Sequence, residues 1–334
     1  MSDGAQTLTV DVEEAELRLD RWFKRRFPAL GHGRLEKLLR TGQIRVDGKR
    51  AKAGLRLAPG QAVRVPPSIT ATDAAAPAPV PRSSRDLSDA DERFIRSLVI
   101  YRDDDVIALN KPPGLAVQGG SGTARHVDGL LDGLRFGAPE RPRLVHRLDK
   151  DTSGVLLLGR SAVAAAKLAA AFREKTTRKI YWAITVGVPK PRQGRIALPV
   201  AKLLGRAGER MAPDPEAGKP AVTYYSVVEN MGRKAAWVAL WPFTGRTHQL
   251  RVHMAAIGTP ILGDGKYGAA AAFLAGDALP RRLHLHARAI TLPHPRSGRP
   301  LVIAAPLSES MRATWQFFGF ATESAEDPFA TLEP

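Results

Sequence analysis

Leu144-Val145-His146-Arg147-Leu148-Asp149-Lys150-Asp151-Thr152-Ser153-Gly154 sets carboxylates, a guanidinium and two hydroxyls between apolar flanks. Val145 and Leu148, then the apolar residues 155–158, have the character of side chains buried against a sheet. His146, Arg147 and Asp149 must instead find partners or line a cleft, because an unsatisfied buried polar group costs roughly 1–3 kcal/mol. The stretch reads as a strand entered through a functional polar turn.

Outward from this turn, short strand-like runs occupy residues 106–109, 155–158, 181–186, 223–228, 236–240 and 283–287, interrupted by one Ala-rich helix over 161–175. This mixture predicts an α+β domain over 93–319 with a largely antiparallel mixed sheet, not regular βα repeats. The polar residues 205–219 read as a mobile surface loop, and the acidic tail 320–334 as frayed. Residues 67–92, with Pro67, Pro77, Pro79 and Pro81 among Ala, Ser, Thr and Asp, read as a linker.

Before the linker lies a small module over 18–66, preceded by an N-terminal extension, 1–17. Leu19, Trp22, Phe23 and Phe27 recur at helical spacing, and Leu35, Leu38 and Leu39 mark a second helix after Gly31-His32-Gly33. Ile44-Arg45-Val46 runs into an Asp47-Gly48 turn, and Val63-Arg64-Val65 supplies another strand. Between Arg18 and Pro66 there are 14 Lys and Arg against three acidic residues, so eleven of the chain's net +17 charges sit there. Such a surface suits a polyanion, since each neutralised phosphate releases counterions. No apolar stretch approaches the roughly 20 residues that span a bilayer, and no lipidation signal is evident. The N-terminus has no secretory h-region, and the chain has no Cys; disulfides, thiolate catalysis and Cys-ligated zinc are excluded, and a cytoplasmic location is expected.

The run 144–154 resembles the signature of the RluA-type RNA pseudouridine synthases. That resemblance covers nearly the whole chain and makes Asp149 the nucleophile. In Thr244-Gly245-Arg246-Thr247-His248-Gln249-Leu250-Arg251-Val252-His253 it makes Arg251 the cationic partner of Asp149, with Leu250 packed on the uracil face. In Arg178-Lys179-Ile180-Tyr181-Trp182-Ala183 it stacks Tyr181 on the base. Arg147 would fill the gap left by an extruded nucleotide, with His146 and Arg246 also facing RNA. Asn110-Lys111-Pro112-Pro113-Gly114-Leu115-Ala116-Val117 matches a further family segment bordering the site, where Lys111 would touch a phosphate. Arg18-Leu19-Asp20-Arg21 and Gly42-Gln43-Ile44-Arg45-Val46-Asp47-Gly48 resemble the RNA-binding domain named after ribosomal protein S-four, with Arg45, Lys49 and Arg50 as RNA contacts. The resemblance implies isomerisation of uridine without cofactor or metal, with large-subunit ribosomal RNA as partner. Transfer RNA as substrate, or a non-catalytic RNA-binding assembly factor, are the alternatives.

Competing patterns are weaker. Gly263-Asp264-Gly265-Lys266-Tyr267-Gly268 satisfies GxGxxG but opens no βαβ unit, so a glycine-rich turn is expected instead of a dinucleotide site. His248, His253, His284, His286 and His294 lack a companion Cys or carboxylate cluster at ligand spacing, and satisfied or exposed histidines are expected. Asp149-Lys150-Asp151-Thr152 approximates the two-Asp loop of magnesium-dependent, haloacid-dehalogenase-type phosphotransferases. That loop should follow an apolar strand directly, whereas His146-Arg147 intervenes.

Overall fold

The computed structural model describes residues 5–14, 16–69, 73, 87–119, 125–174, 176–205, 208–276, 279–323 and 327–330. The chain divides into two compact units, Met1–Asp86 and Leu87–Pro334. Among the described residues, no helix is long and apolar enough to cross a membrane.

The first unit comprises β1 (Gln6–Thr9), α1 (Leu19–Arg26), α2 (His32–Arg40), β2 (Arg45–Val46), β3 (Lys49–Arg50) and β4 (Ala62–Val65). Its strands form an antiparallel sheet in the order β1-β4-β2-β3. Leu19, Trp22 and Phe23 from α1 and Leu35, Leu38 and Leu39 from α2 make one stripe each and bury it with Ile44, Val46, Val63 and Val65. Asp47 and Gly48, with φ of 49° and 74°, form the tight turn between β2 and β3, the geometry that Asp-Gly favours in hairpins. The N-terminal residues do not form a separate extension. β1 pairs with β4 from Gln6↔Val65 to Thr9↔Ala62, and Glu14, 5% exposed, accepts hydrogen bonds from Trp22 Nε1 and Arg26 Nε, both at 2.9 Å. The Arg26 hydrogen bond chiefly holds the Glu14 carboxyl at about 2, against the opposing effect of burial. A lone strand beginning Gln-Thr carries too little apolar alternation to announce itself.

The expected linker is shorter than 67–92. Ile69 is buried, and Ser88 caps α3 (Asp89–Ser97), its side chain accepting from the Asp91 backbone N–H. Residues 70–72 and 74–86 lie outside the described residues.

The second unit continues through β5 (Val99–Arg102), β6 (Val106–Lys111), α4 (Val127–Leu130), β7 (Arg143–Leu144), β8 (Ser153–Gly159), α5 (Ala162–Arg173), β9 (Arg178–Val186), β10 (Gln193–Ala197), β11 (Val200–Gly205), β12 (Gly208–Pro213), β13 (Val222–Met231), β14 (Ala235–Pro242), α6 (Gln249–Ala256), α7 (Gly265–Gly268), β15 (Leu285–Pro293), β16 (Pro300–Ala304) and α8 (Glu309–Phe317). Among the described residues, ten strands form one sheet along β10-β13-β14-β9-β15-β8-β6-β5, with β16 on β15 and β7 on β8. All pairings are antiparallel except β8 with β15. The α+β expectation therefore holds.

Alternation along β14 shows how the sheet is covered on both faces. Ala235, Trp237, Ala239 and Trp241 join one apolar cluster with Met311, Trp315 and Phe329, while Ala236, Val238 and Leu240 join another with Leu250 and Met254 of α6. Phe320 and Phe329 are 6% and 1% exposed, so these two residues of the expected frayed tail are anchored here; burying each such ring contributes roughly 1.5–3 kcal/mol. Residues 205–219 also depart from expectation, because β12 pairs with β11 from Val200↔Pro213 to Gly205↔Gly208.

The parallel pairing pins the signature turn to the middle of the sheet. Gly154 lies opposite Ala287 with φ 108°, and a Cβ there would stand 2.2 Å from the Ala287 carbonyl oxygen. Only glycine permits that approach. Beside it, Ser153 Oγ and His286 Nδ1 are 2.8 Å apart.

Candidate active site

Three separate elements converge on a pocket of about 490 Å³: the turn entering β8, the first half of β9, and the loop leading into α6. Asp149, Tyr181, Leu250 and Arg251 all line it, so residues spread over a hundred positions of sequence share one cavity. Asp149 sits in the turn, its carbonyl accepting from the Thr152 N–H at 3.2 Å, with a quarter of its side chain exposed.

Arg251 does not pair directly with Asp149. Its Nε and Nη2 donate to the two carboxylate oxygens of Asp264 at 2.8 and 2.6 Å, a bidentate geometry that fixes the guanidinium plane. The side chains are 8% and 1% exposed. Burial opposes the charge on Arg251, but Asp264, with a further contribution from Asp149, raises its pKa. Among the described residues, the group in ion-pair reach of Asp149 is His248, whose Nε2 lies 3.8 Å from Oδ2. His248 adopts φ 53° at the N-cap of α6, and its Nδ1 lies 2.6 Å from Tyr267 Oη. Burial lowers its pKa while Asp149 counteracts and Arg251 reinforces the shift. Gln249 locks the loop: its Oε1 accepts from Thr244 Oγ1 and the Arg246 N–H, and its Nε2 donates to the Val222 carbonyl.

Asp264 and Tyr267 come from the GxGxxG stretch. Gly263, with φ 79°, passes so close to the Arg282 carbonyl that a Cβ would stand 1.8 Å away, and Asp264 caps the short α7 by accepting from the Tyr267 N–H at 3.3 Å. The glycines therefore serve a tight turn that delivers a carboxylate to Arg251. Sequence reasoning missed Asp264, Tyr267 and the placement of His248. The available signal was an unexplained acidic residue between glycines.

The remaining expected residues divide. Tyr181 is packed between two apolar clusters, and burial, then the charge of Asp149, pushes its phenol pKa up, keeping it protonated at neutral pH. Leu250 is buried at 6%. Arg147 is exposed at the pocket edge and, like Arg246, lines it; Arg246 Nε donates to the Pro220 carbonyl at 3.1 Å. His146 also borders the pocket, but its ring is engaged within the protein. Its Nε2 accepts from the Leu157 N–H at 2.8 Å, its ring stacks on Phe172 at 4.6 Å, and burial drives its pKa down to about 3. It is a neutral strut tying the signature turn to β8, not an RNA contact. Lys111 is likewise corrected. It is wholly buried, donating to the carbonyls of Pro112, Leu115 and Lys150 at 2.8, 2.9 and 3.0 Å, so no phosphate reaches it. In the first unit, Lys49 and Arg50 are exposed on β3, while Arg45 spends donors on the Gly42 and Gly48 carbonyls.

The histidines have partners of the expected kind. His253 lies 2.9 Å from both Thr223 Oγ1 and the Leu198 carbonyl, and His284 lies 2.9 Å from Thr314 Oγ1. His294 forms a group with Asp103 and Asp105, but these side chains are engaged. Asp103 accepts from two backbone N–H groups and contacts Tyr101 and His294, and Asp105 pairs with Arg296.

Residues 105–256 match the family described as RNA pseudouridylate synthase. The chain is 36% identical over 315 residues to Ribosomal large subunit pseudouridine synthase C of Vibrio vulnificus, covering 93% of this chain and 96% of that protein. The protein of that name in Escherichia coli is 35% identical, covering 94% and 96%. The solved structure of Human RNA Pseudouridylate Synthase Domain Containing 4 gives a TM-score of 0.57 at 29% identity, across 69% of this chain and 97% of that one. Similarity of that extent, running through both units and the pocket-forming segments, makes this chain a member of the RluA-type RNA pseudouridine synthases, and therefore an RNA isomerase.

Proposed function

We propose that this protein converts uridines of large-subunit ribosomal RNA to pseudouridine, with Asp149 as the nucleophile. The observation that carries the reading is a partly exposed carboxylate in a pocket walled by Tyr181 and Leu250, with fixed Arg251 contributing positive charge. Two relatives that match along almost their whole length bear names placing their action on the large ribosomal subunit.

In this reading Asp149 attacks the extruded nucleotide while its glycosidic C–N bond breaks. The uracil turns while held between Tyr181 and Leu250, and ring carbon 5 joins the sugar as the bond to Asp149 breaks and the carboxylate is regenerated; carbon 5 then gives up its proton and the freed ring nitrogen takes one up. Substrate and product have the same atoms, so the reaction consumes no cofactor and no acceptor. Base stacking on an aromatic contributes roughly 1–3 kcal/mol, comparable with the few kcal/mol spent on extrusion. Arg147, exposed and without an ion pair among the described residues, is available to occupy the vacated stack. The first unit serves as an S-four-type RNA-binding domain, with Lys49 and Arg50 on phosphates and Arg45 bracing their hairpin. Action in the cytoplasm is part of the proposal.

The test is tritium release from carbon-5-labelled uridine in ribosomal RNA by Asp149→Asn and Asp149→Ala proteins that melt like wild type. Both should be inactive yet bind RNA, whereas Asp151→Asn should retain part of the activity and chelation of metal should change nothing. Full activity in folded Asp149→Ala sinks the mechanism. Pseudouridine mapping that finds only transfer RNA positions dependent on this protein sinks the substrate.

A further inference from the structure

The pocket lining includes two basic side chains, Arg173 and Lys179, to which the isomerisation chemistry gives no role. Lys179 precedes Tyr181 by two residues on β9, so the two side chains leave the same face of the sheet, roughly 6–7 Å apart along the strand. Both line the pocket, together with Thr177, Arg173 at the end of α5, and Arg147. Arg147, Arg173 and Lys179 have no carboxylate partner among the described residues, unlike Arg251. Thr177 is 7% exposed and its Oγ1 lacks any hydrogen-bond partner.

Resting on the proposed function, we propose that these side chains form a phosphate subsite: Lys179, with Arg173 beside it on the pocket wall, binds a backbone phosphodiester of the RNA next to the nucleotide whose base stacks on Tyr181. Lys179 is half-buried, and a partly desolvated ammonium gains from an anion that offsets its lost hydration. Burial lowers the pKa of Lys179 in the free protein, and an arriving phosphate would stabilise the charged form. Among the described residues no carboxylate forms an ion pair with Lys179, whereas a nucleotide carries its negative charge one sugar away from the base. A contact on the backbone also carries no base information, so it would serve any target sequence.

The experiment measures equilibrium binding of a large-subunit ribosomal RNA transcript to the full-length protein as a function of KCl concentration, without relying on turnover. Lys179→Met should raise Kd roughly 10- to 100-fold near 0.1 M salt, the range expected for a charge-assisted hydrogen bond. It should also flatten the slope of log K against log salt by about 0.7–0.9, one phosphate contact. Lys179→Gln should flatten the slope equally, and Lys179→Arg should restore most of it. Because the ammonium has no partner among the described residues, Lys179→Met should melt no lower than wild type. An unchanged slope in either neutral variant overturns the subsite, as does a large drop in melting temperature for both, which would make Lys179 structural. Tritium release by the wild type reports separately on the isomerase reading, so the two failures are distinguishable.

Discussion

Replacing Asp264 by Asn tests whether Arg251 is held in place by its carboxylate partner. Asn keeps the size of Asp and caps helices as well, so the short helix after Gly263 should persist. What disappears is one charge and one of two hydrogen bonds to a guanidinium that is 8% exposed. Removing one member of a buried ion pair costs roughly 3–5 kcal/mol, and the acceptor retained by Asn argues for the lower end, about 3 kcal/mol. For a unit of this size each kcal/mol moves Tm by roughly 2–4 °C, so a fall of about 6–12 °C is expected in a thermal scan. Tritium release at saturating RNA should fall about 100-fold, the loss associated with a 1 Å displacement in a reacting site. The double variant Arg251→Met/Asp264→Asn removes both charges while keeping the cap, and should regain much of the stability but none of the activity. An Asp264→Asn protein that melts with wild type and turns over normally would refute the positioning role. So would an active double variant.

Lys49→Gln/Arg50→Gln should weaken ribosomal RNA binding and flatten its salt slope by about 1.4–1.8 if both exposed side chains meet phosphates; an unchanged slope assigns the first unit another task. Glu14 titrates at about 2 in the folded state, below its ordinary value of 4.5, so its stabilisation is complete above about pH 4.5 and is lost as pH falls toward 2. The Trp22 indole resonance should report loss of first-unit structure over that window, and Glu14→Gln should be destabilised at neutral pH with a flatter acid profile. Lys111→Met should strand three carbonyls and lower Tm by several degrees; lost RNA binding with an unaltered melt would return Lys111 to the substrate.

The sequence was most legible where chemistry and periodicity coincided. Asp149 stood out because a carboxylate between apolar flanks has no inexpensive place in a core, and the strand runs followed from short continuous apolar stretches such as residues 236–240. Long-range partners were not legible. Nothing in the spacing of Arg251 and Asp264 says that a tight turn folds one onto the other, and the same applies to Phe329 against Trp241, 5.9 Å between ring centroids. Lys111 misled because lysine is ordinarily exposed, and only the structure reveals three carbonyls arranged around its ammonium.

Gly154 contributes no functional group, yet its backbone lies against Ala287 with no room for a methyl, five residues beyond Asp149. In a library covering every position it should score with the nucleophile itself, since any side chain would lever the turn away from β15 and carry the carboxylate with it. A map of intolerance would therefore mark Gly154 as though it touched substrate. For anyone grafting this site onto another scaffold, the design unit is the turn together with its seat on the neighbouring strand.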